Sequence, residues 1–473
     1  MARIEITGEQ LARQRGFSEK IKERVGGGKV FIRTFGCQQN EADSERLLGM
    51  ACEMGYTPTG EESEADLIIV NTCAIREHAE LKTLSITGQY KHIKEKKPGL
   101  VIVMCGCMVS QEHRIGDVKN RYPYVDLTVG TDSLWRFPEL LFGVLDGEKR
   151  LFCPNTGDGV IAEGLPVRRE STFEAWVSIM YGCNNFCSYC VVPYVRGRER
   201  SRRPEEIEKE VRELAEAGYR EITLLGQNVN SYGKDLPAGG NPGGESFASL
   251  LRRLCAIPGD FRLRFMTSHP KDVSDELIAV MGEYSRMAKH FHLPAQSGSD
   301  AVLKAMNRHY DRKWYLDKVR RLREAAPDIA LSTDIIVGFP GETEEDFAQT
   351  ESLLREVCFD FFYLFEYSPR PGTPAAKMEN QIPTEVKKAR FQRLLSVQNE
   401  ISLQKNRSFE GQTVKVLVLG PSKTDPNRFT GRTERQRLVH FDCTDETLIG
   451  NYADVKITKG ETYALYGELV GRE

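Results

Sequence analysis

The sequence predicts an α/β protein in three parts: an N-terminal open parallel α/β domain, a central partial (βα)6 barrel, and a small OB-like β-barrel at the C-terminal end. Three observations predict this. Short apolar runs alternate with helical stretches through the first part of the chain, as in a parallel sheet with crossover helices. Six further apolar runs with intervening helical stretches fill the middle, the pattern of a βα barrel. From residue 413 onward, strand-like segments follow one another with no long helix between them.

Residues 1–28 are polar and charged, without the apolar core of a secretory signal, and read as an extension. The first domain is expected at 29–145. Its strands are 29–35 (KVFIRTF), 67–71 (LIIVN) and 101–104 (VIVM), with helices at 41–54 and 76–97. A linker at 146–170 carries Pro154, Gly157, Gly159, Gly164 and Pro166. The central domain, 171–405, places strands at 175–180, 221–225, 262–265, 290–293, 331–337 and 361–365. Its first helix, 204–217, opens on Pro204, carries Glu205 and Glu206 in its first turn, and aligns Ile207, Val211 and Leu214 on one face. Residues 234–245 are rich in Gly and Pro and read as a flexible loop. A helix at 384–407 leads into the last domain, 406–471, with strands at 413–419, 428–433, 438–442, 452–458 and 462–468.

At 473 residues the chain is too long for one hydrophobic core. Its 40% apolar and 28% charged residues are those of a globular protein. No apolar run approaches a membrane span, so a cytoplasmic protein with no membrane partner is expected. Twelve cysteines then suggest metal ligation in place of a disulfide scaffold. A net charge of −3 offers nucleic acid no overall attraction, so such binding must come from local basic patches. A monomer is expected, because no long apolar surface helix points to a partner.

Cys183, Cys187 and Cys190 stand in GCNNFCSYC, spaced C-x3-C-x2-C, with no fourth cysteine or histidine nearby. Structural zinc closes its tetrahedron with four protein ligands. Three thiolates leave a metal position open, and on an iron–sulfur cluster a small molecule can bind and react there. A second triplet is spread along the first domain: Cys37, Cys73 and Cys107 each follow a predicted strand end. Sites in open parallel sheets form at the carboxyl ends of strands, so these three should converge. Buried core cysteines would scatter instead.

The C-x3-C-x2-C spacing resembles the radical S-adenosylmethionine (SAM) enzymes. That resemblance implies a [4Fe–4S] cluster on Cys183, Cys187 and Cys190 whose unique iron chelates SAM and cleaves it reductively to a 5'-deoxyadenosyl radical. Tyr189 occupies the aromatic position that these enzymes place beside the SAM adenine. Gln227 and Asn228, Ser268 and His269, Gln296 and Ser297, and Thr333 and Asp334 lie at predicted strand ends and are candidate SAM contacts. The Gly-Gly-Glu string that such enzymes often carry is here Leu225-Gly226-Gln227-Asn228.

From about residue 29 to 471 the domain order resembles the methylthiotransferase family. The strings TFGCQQNEADSE, NTCAIRE and CGCMVSQ match its N-terminal cysteines, and the last barrel resembles its TRAM RNA-binding domain. SYCVVPYVRGRERSR and LLGQNVNSYG are closest to the tRNA branch that converts N6-dimethylallyl (isopentenyl) adenosine, next to the anticodon, into its 2-methylthio derivative. The resemblance implies an auxiliary [4Fe–4S] cluster on Cys37, Cys73 and Cys107, hence two clusters. It also implies two SAM equivalents, a reducing electron donor and the anticodon stem-loop of tRNA as partner. Cys105 lies two residues before Cys107, but the resemblance to the family's string, here Gly106-Cys107-Met108-Val109-Ser110-Gln111, falls on Cys107.

Arg196, Arg198, Arg200, Arg202 and Arg203 follow the cysteine loop, and guanidiniums there suit phosphate oxygens of RNA. The last barrel adds Lys423, Arg428, Arg432, Arg435 and Arg437, with Phe429 and Phe441 available to stack bases. Alternatives are a methylthiotransferase for threonylcarbamoyl-adenosine tRNA or a ribosomal-protein aspartate, a zinc-bearing RNA-binding protein, and an electron carrier.

Overall fold

The computed structural model describes residues 4–74, 77–155, 159–237, 244–423 and 425–472. Arg76, Gly157 and residues 238–243 of the Gly/Pro-rich loop, all singled out above, lie outside the described residues.

The first domain is built on six parallel strands. Their spatial order is Thr57–Pro58, Lys29–Thr34, Leu67–Thr72, Val101–Gly106, Leu127–Val129 and Leu151–Cys153. Leu67–Thr72 and Val101–Gly106 are buried at every position because helices cover both faces. Val30, Leu67, Ile69, Val101 and Val103 pack on one side with Ile21, Leu47 and Leu140 from three helices. Phe31, Ile68, Val70, Ile102 and Met104 pack on the other with Leu84, Tyr90 and Val118.

Two stretches differ from expectation. Gly8–Val25, inside the expected polar extension, is a helix opened by a capping box at Thr7 and Gln10 and closed by Gly26 in the left-handed region. Buried Ile21 docks it, together with polar ties and an aromatic contact: Arg13 and Gln14 both reach Glu139, and Phe17 meets Phe142 with ring centres 5.4 Å apart. Within the expected linker, Leu151–Cys153 is the sixth strand of the sheet, and Val160–Ile161 pairs in parallel with Ile4–Glu5. Runs of two or three residues carry too little periodicity to be seen in sequence.

The central domain keeps its six strands in chain order. Glu174–Ser178, Glu221–Leu225 and Arg262–Phe265 form one parallel group; His290–His292, Ala330–Val337 and Phe361–Glu366 form the other. A parallel bridge between Leu263 and Met287 joins them. Residues Val177, Ile222, Leu224, Leu263, Phe291 and Leu331 face the helices and fill the largest core.

The last domain is a closed barrel of Thr413–Pro421, Arg428–Thr433, Leu438–Asp442, Leu465–Arg472 and Tyr452–Gly460. It is fastened under the central strands. Arg432 ion-pairs with Glu174 and Glu221, the first residues of two of them. Arg264 donates to the carbonyls of Thr433 and Glu434, and Tyr452 OH to that of Arg220 at 2.9 Å. Phe429 and Phe441 are buried in the barrel core, so the expectation that they stack bases is corrected. Their positions alternate with outward residues, and in a closed barrel alternate residues point inside.

Candidate active site: two cysteine triplets at a domain junction

Cys73 and Cys107 directly follow two strands of the first sheet, and Cys37 lies three residues past the end of a third. Asn40 ties these ends together. Its Nδ2 donates to the Phe35 and Thr72 carbonyls and to Asn71 Oδ1, and Asn71 Nδ2 donates back to the Asn40 carbonyl. Gly106, at φ +93°, allows the close turn into Cys107; a Cβ there would lie 2.3 Å from Asn71 Oδ1. Cys105 is fully buried in the core under the sheet and its Sγ donates to the Val70 carbonyl at 3.7 Å. Cys105 lies inside the strand, its side chain in the helix-covered core, whereas Cys107 lies past the strand's end, after the turn at Gly106.

The second triplet follows the first central strand. Gly182, at φ +73°, passes so close to the Arg198 carbonyl that a Cβ would approach it to 2.0 Å. Cys183 N then donates to the Gly197 carbonyl, and Ser188 N to that of Met306. The triplets adjoin: Ala74 and Cys107 pack with Val191 and Val195, in the turn directly after Cys190.

Each triplet has a buried guanidinium against a sulfur. Arg196 Nε donates to Cys107 Sγ at 3.1 Å, while its Nη2 donates to Asn40 Oδ1 at 3.1 Å and Asp43 Oδ2 at 2.9 Å. Arg308 Nη1 donates to Cys187 Sγ at 3.3 Å and to Tyr189 OH at 3.5 Å. Its Nη2 and Nε are held by the Pro294 carbonyl and Tyr310 OH. Burial pushes the Cys107, Cys183 and Cys190 thiols up to about 12, and Arg196 works against this at Cys107. The Cys37 and Cys73 charges act on Cys107, and those of Cys187 and Cys183 act on Cys190, so each triplet is one electrostatic unit.

Among the described residues no three of His, Cys, Asp or Glu converge tightly enough for a single ion. In a multi-iron cluster the thiolates bind separate irons, so its ligand set is wider than a one-ion site. The donor chemistry fits such a cluster: soft sulfur only, with a cation beside it to offset the charge. Three buried polar atoms of the central domain have no hydrogen-bond partner: Gln296 Oε1, His269 Nε2 and Asn230 Oδ1.

The other expected SAM contacts divide. Tyr189 packs beside Met306, Ile336 and Phe339, one residue before Cys190. Gln227 is half-buried at its strand end. Thr333 and Asp334, expected at a strand end, lie in the middle of Ala330–Val337, with Asp334 3.6 Å from His292 Nε2 and partly open. Asn228 is already spent internally, accepting from His269 N at 3.1 Å and donating to Asp272 at 2.8 Å. Ser268 Oγ is likewise committed to the His292 carbonyl.

The arginine expectation is corrected at most positions. Arg196, Arg200 and Arg202 are buried: Arg196 as above, Arg200 on the Arg196 and Arg198 carbonyls, and Arg202 between Glu163 and Glu210. Arg203 pairs with Glu5, Arg432 with Glu174 and Glu221, Arg435 with Asp328, and Arg437 with Asp360. Arg198 alone of this set is exposed with no such carboxylate, its guanidinium carbon 4.3 Å from the Phe186 ring centre. The run mainly staples domains; each guanidinium in the interior needs a carboxylate or carbonyl partner there. Sequence reading missed Arg308, Asn40 and Asp43. The last two lie within the string around Cys37, but nothing in their type separates them from solvated polar residues.

Family models match three stretches: the Radical SAM superfamily at 177–354, Uncharacterized protein family UPF0004 at 29–130, and the TRAM domain at 407–470. A tRNA-2-methylthio-N(6)-dimethylallyladenosine synthase of Acetivibrio thermocellus is 51% identical over 475 aligned residues, covering 99% of this chain and 98% of that protein. The chain belongs to the family of these synthases. Proteins of the same name from Thermoanaerobacter sp. (strain X514) and Clostridium botulinum (strain Langeland) are 48% and 50% identical, covering 99% and 93% of this chain and 98% and 97% of theirs. Among solved structures, a radical S-adenosylmethionine methyltransferase from Kitasatospora setae aligns with a TM-score of 0.55 at 13% identity, covering 73% of this chain and 74% of that one. At that identity the match speaks for the fold alone. In this synthase-family chain, the UPF0004 stretch contains Cys37, Cys73 and Cys107, and the Radical SAM stretch contains the other triplet.

Proposed function

We propose that this chain adds a methylthio group to carbon 2 of N6-dimethylallyl-adenosine beside the anticodon of tRNA, as a cytoplasmic monomer. The observation that carries the reading is the packing of Cys107 on Val191 and Val195, in the segment just after Cys190. An unactivated aromatic C–H demands radical chemistry, and a sulfur carrier must stand next to the radical source. We assign Cys183, Cys187 and Cys190 to a [4Fe–4S] cluster that binds SAM, and Cys37, Cys73 and Cys107 to a second one. When bound, these groups supply one-electron cleavage of SAM and a site for the transferred sulfur.

The chain's own residues orient the reactants. Arg308 would hold a negative group next to Cys187, with the unpartnered Gln296 Oε1 and His269 Nε2 available for the polar end of SAM. Tyr189 offers a flat apolar wall. Of the five arginines expected beside the cysteine loop to meet RNA, Arg198 is the exposed one not paired with a carboxylate in the ion pairs above.

The test is an anaerobic assay with reductant, SAM, sulfide and a dimethylallyl-modified anticodon stem-loop, followed by nucleoside mass spectrometry. The 2-methylthio dimethylallyl nucleoside should form and the unmodified-adenosine stem-loop should not react. Turnover only of a threonylcarbamoyl stem-loop, or of a ribosomal protein, would overturn the substrate assignment.

A further inference from the structure

The inner wall of the central barrel carries a polar chain below its strand ends. Phe291, Leu331 and Ile335 face the helices, and Phe362 and Leu364 pack on the same core. Successive strand residues point to opposite faces, so His290, His292, Ser332, Asp334, Phe361 and Tyr363 face the lumen. His290 Nε2 and His292 Nδ1 both meet Ser332 Oγ, at 2.8 and 2.9 Å. That hydroxyl has one hydrogen, so one ring donates to it and the other accepts from it. Burial keeps His290 neutral. With Nδ1 donating, a neutral His292 would turn the bare lone pair of Nε2 on the Asp334 carboxylate. The opposite order avoids this: His290 donates to Ser332, Ser332 donates to His292 Nδ1, and His292 presents Nε2–H beside Asp334. At 3.6 Å the two groups are too far apart to satisfy each other. The lumen therefore offers one donor and one acceptor side by side.

An aromatic shelf flanks this pair. Phe361 stacks on His290 with ring centres 5.2 Å apart, and Tyr363 meets His292 edge-on at 5.8 Å. Both lie on Phe361–Glu366, which pairs with Ala330–Val337 on one side and is the outer strand of its sheet on the other. Tyr363 is accordingly 42% exposed although it points inward. Asp334 stands three residues before the end of its strand, about 10 Å below it.

We infer that this wall seats the target adenine by its Hoogsteen edge. His292 Nε2–H donates to N7, Asp334 accepts from N6–H, and the Tyr363 ring covers the purine. The inference rests on the methylthiotransferase reading and adds to it how the base is held. An N6-alkyl adenine keeps one N–H beside N7, whereas guanine presents two acceptors on that edge, one of them against the carboxylate. C2 lies on the opposite side of the purine, so binding by this edge leaves it free and directed toward the strand ends. A base in a stem-loop must leave its stack to enter, and the open barrel edge gives it a way in.

Altered RNA probes the assignment without changing the protein. An anticodon stem-loop carrying 7-deaza-dimethylallyl-adenosine lacks the N7 acceptor. One carrying 6-(dimethylallyloxy)purine riboside has an ether oxygen in place of N6–H. Each should bind the anaerobic, cluster-loaded full chain about tenfold more weakly than the dimethylallyl-adenosine stem-loop, the loss of one hydrogen bond. In His292→Phe the 7-deaza change should cost nothing further, and in Asp334→Leu the ether change should cost nothing further. Iron per chain and melting midpoint control for folding of the variants. Equal binding of all three stem-loops by the parent, or an analogue loss that persists undiminished in its matching variant, overturns the assignment. A fall in SAM affinity in Asp334→Leu as large as its fall in stem-loop affinity would give that carboxylate to SAM and overturn it likewise. Product from all three stem-loops at equal half-saturation refutes only this seat for the base, whereas no methylthio product from the dimethylallyl-adenosine stem-loop refutes the functional reading beneath it.

Discussion

Arg196 Nε lies 3.1 Å from Cys107 Sγ across the boundary of two domains, 89 residues apart in the chain. The same guanidinium bonds Asn40 and Asp43, so one side chain from the loop after Cys190 closes the wall around the other triplet. Burial opposes its charge, but Cys107, Asp43 and Cys37 more than compensate and hold it above the ordinary arginine value. The two cysteine sites are therefore registered to each other by a buried ion pair.

Arg196→Met should expose that dependence. It leaves Asp43 buried with Arg46 at 3.9 Å and the Gln39 amide donating at 3.2 Å. Breaking a buried pair from one side costs about 3–5 kcal/mol. Urea unfolding should show a loss of that order, and Asp43→Asn in the same chain should recover part of it. If the single variant unfolds like the parent, the pair does not register the domains.

Cys107→Ala and Cys105→Ala should part company in iron content. A cluster on each triplet gives about eight irons per chain. Cys107→Ala should fall to about half of that; Cys105→Ala should keep its iron and lose only packing. Iron analysis after anaerobic reconstitution decides, and half-loss in Cys105→Ala would reverse the ligand assignment.

The placement of the cysteines was legible because its signal is local: a fixed spacing in one triplet, and position after a strand in the other. The strands were legible for the same reason, since LIIVN and VIVM are apolar at nearly every residue and both became fully buried strands. The arginine run was not. A guanidinium looks the same in sequence whether it meets a phosphate or a carboxylate. Its partners here, Asp43, Glu163 and Glu5, lie 153, 39 and 198 residues away. The helix Gly8–Val25 had readable caps in Thr7, Gln10 and Gly26, but its sparse apolar residues made it look like a solvated tail.

Arg308→Met should uncouple SAM chemistry from folding of the barrel. A charge-assisted hydrogen bond to a buried group is worth about 1.5–3 kcal/mol. Production of 5'-deoxyadenosine should therefore drop about tenfold to a hundredfold. Arg308→Lys should restore little, because one ammonium cannot span Cys187, Tyr189, Tyr310 and the Pro294 carbonyl together. An unaltered rate in Arg308→Met would remove the residue from the site.

Arg432→Met should loosen the last barrel without touching the phosphate contacts of RNA. Glu221 keeps Arg264 Nε at 2.7 Å and Arg262 at 3.5 Å, so the expected loss is partial, about 1–3 kcal/mol. Limited proteolysis should release the barrel sooner. The salt dependence of stem-loop affinity should stay as in the parent, whereas loss of a real phosphate contact lowers that slope by about one.

Glu45 should shape stability near neutral pH. Burial pushes its carboxyl up from the usual 4.5 to about 7, outweighing the pull of Arg169 at 3.2 Å. A carboxyl with a higher value in the folded chain binds its proton more tightly there than in the unfolded chain. Its contribution is therefore most favourable below about 4.5 and declines as pH rises through about 7. A shift of that size corresponds to about 3 kcal/mol lost across the interval. Glu45→Gln removes the titration while Arg169 keeps Glu210 at 2.7 Å. Urea midpoints from pH 5 to 8 should fall less steeply in the variant, which should match or exceed the parent at pH 8. Parallel curves for the two proteins would show that Glu45 stays ionised throughout, with Arg169 prevailing over burial.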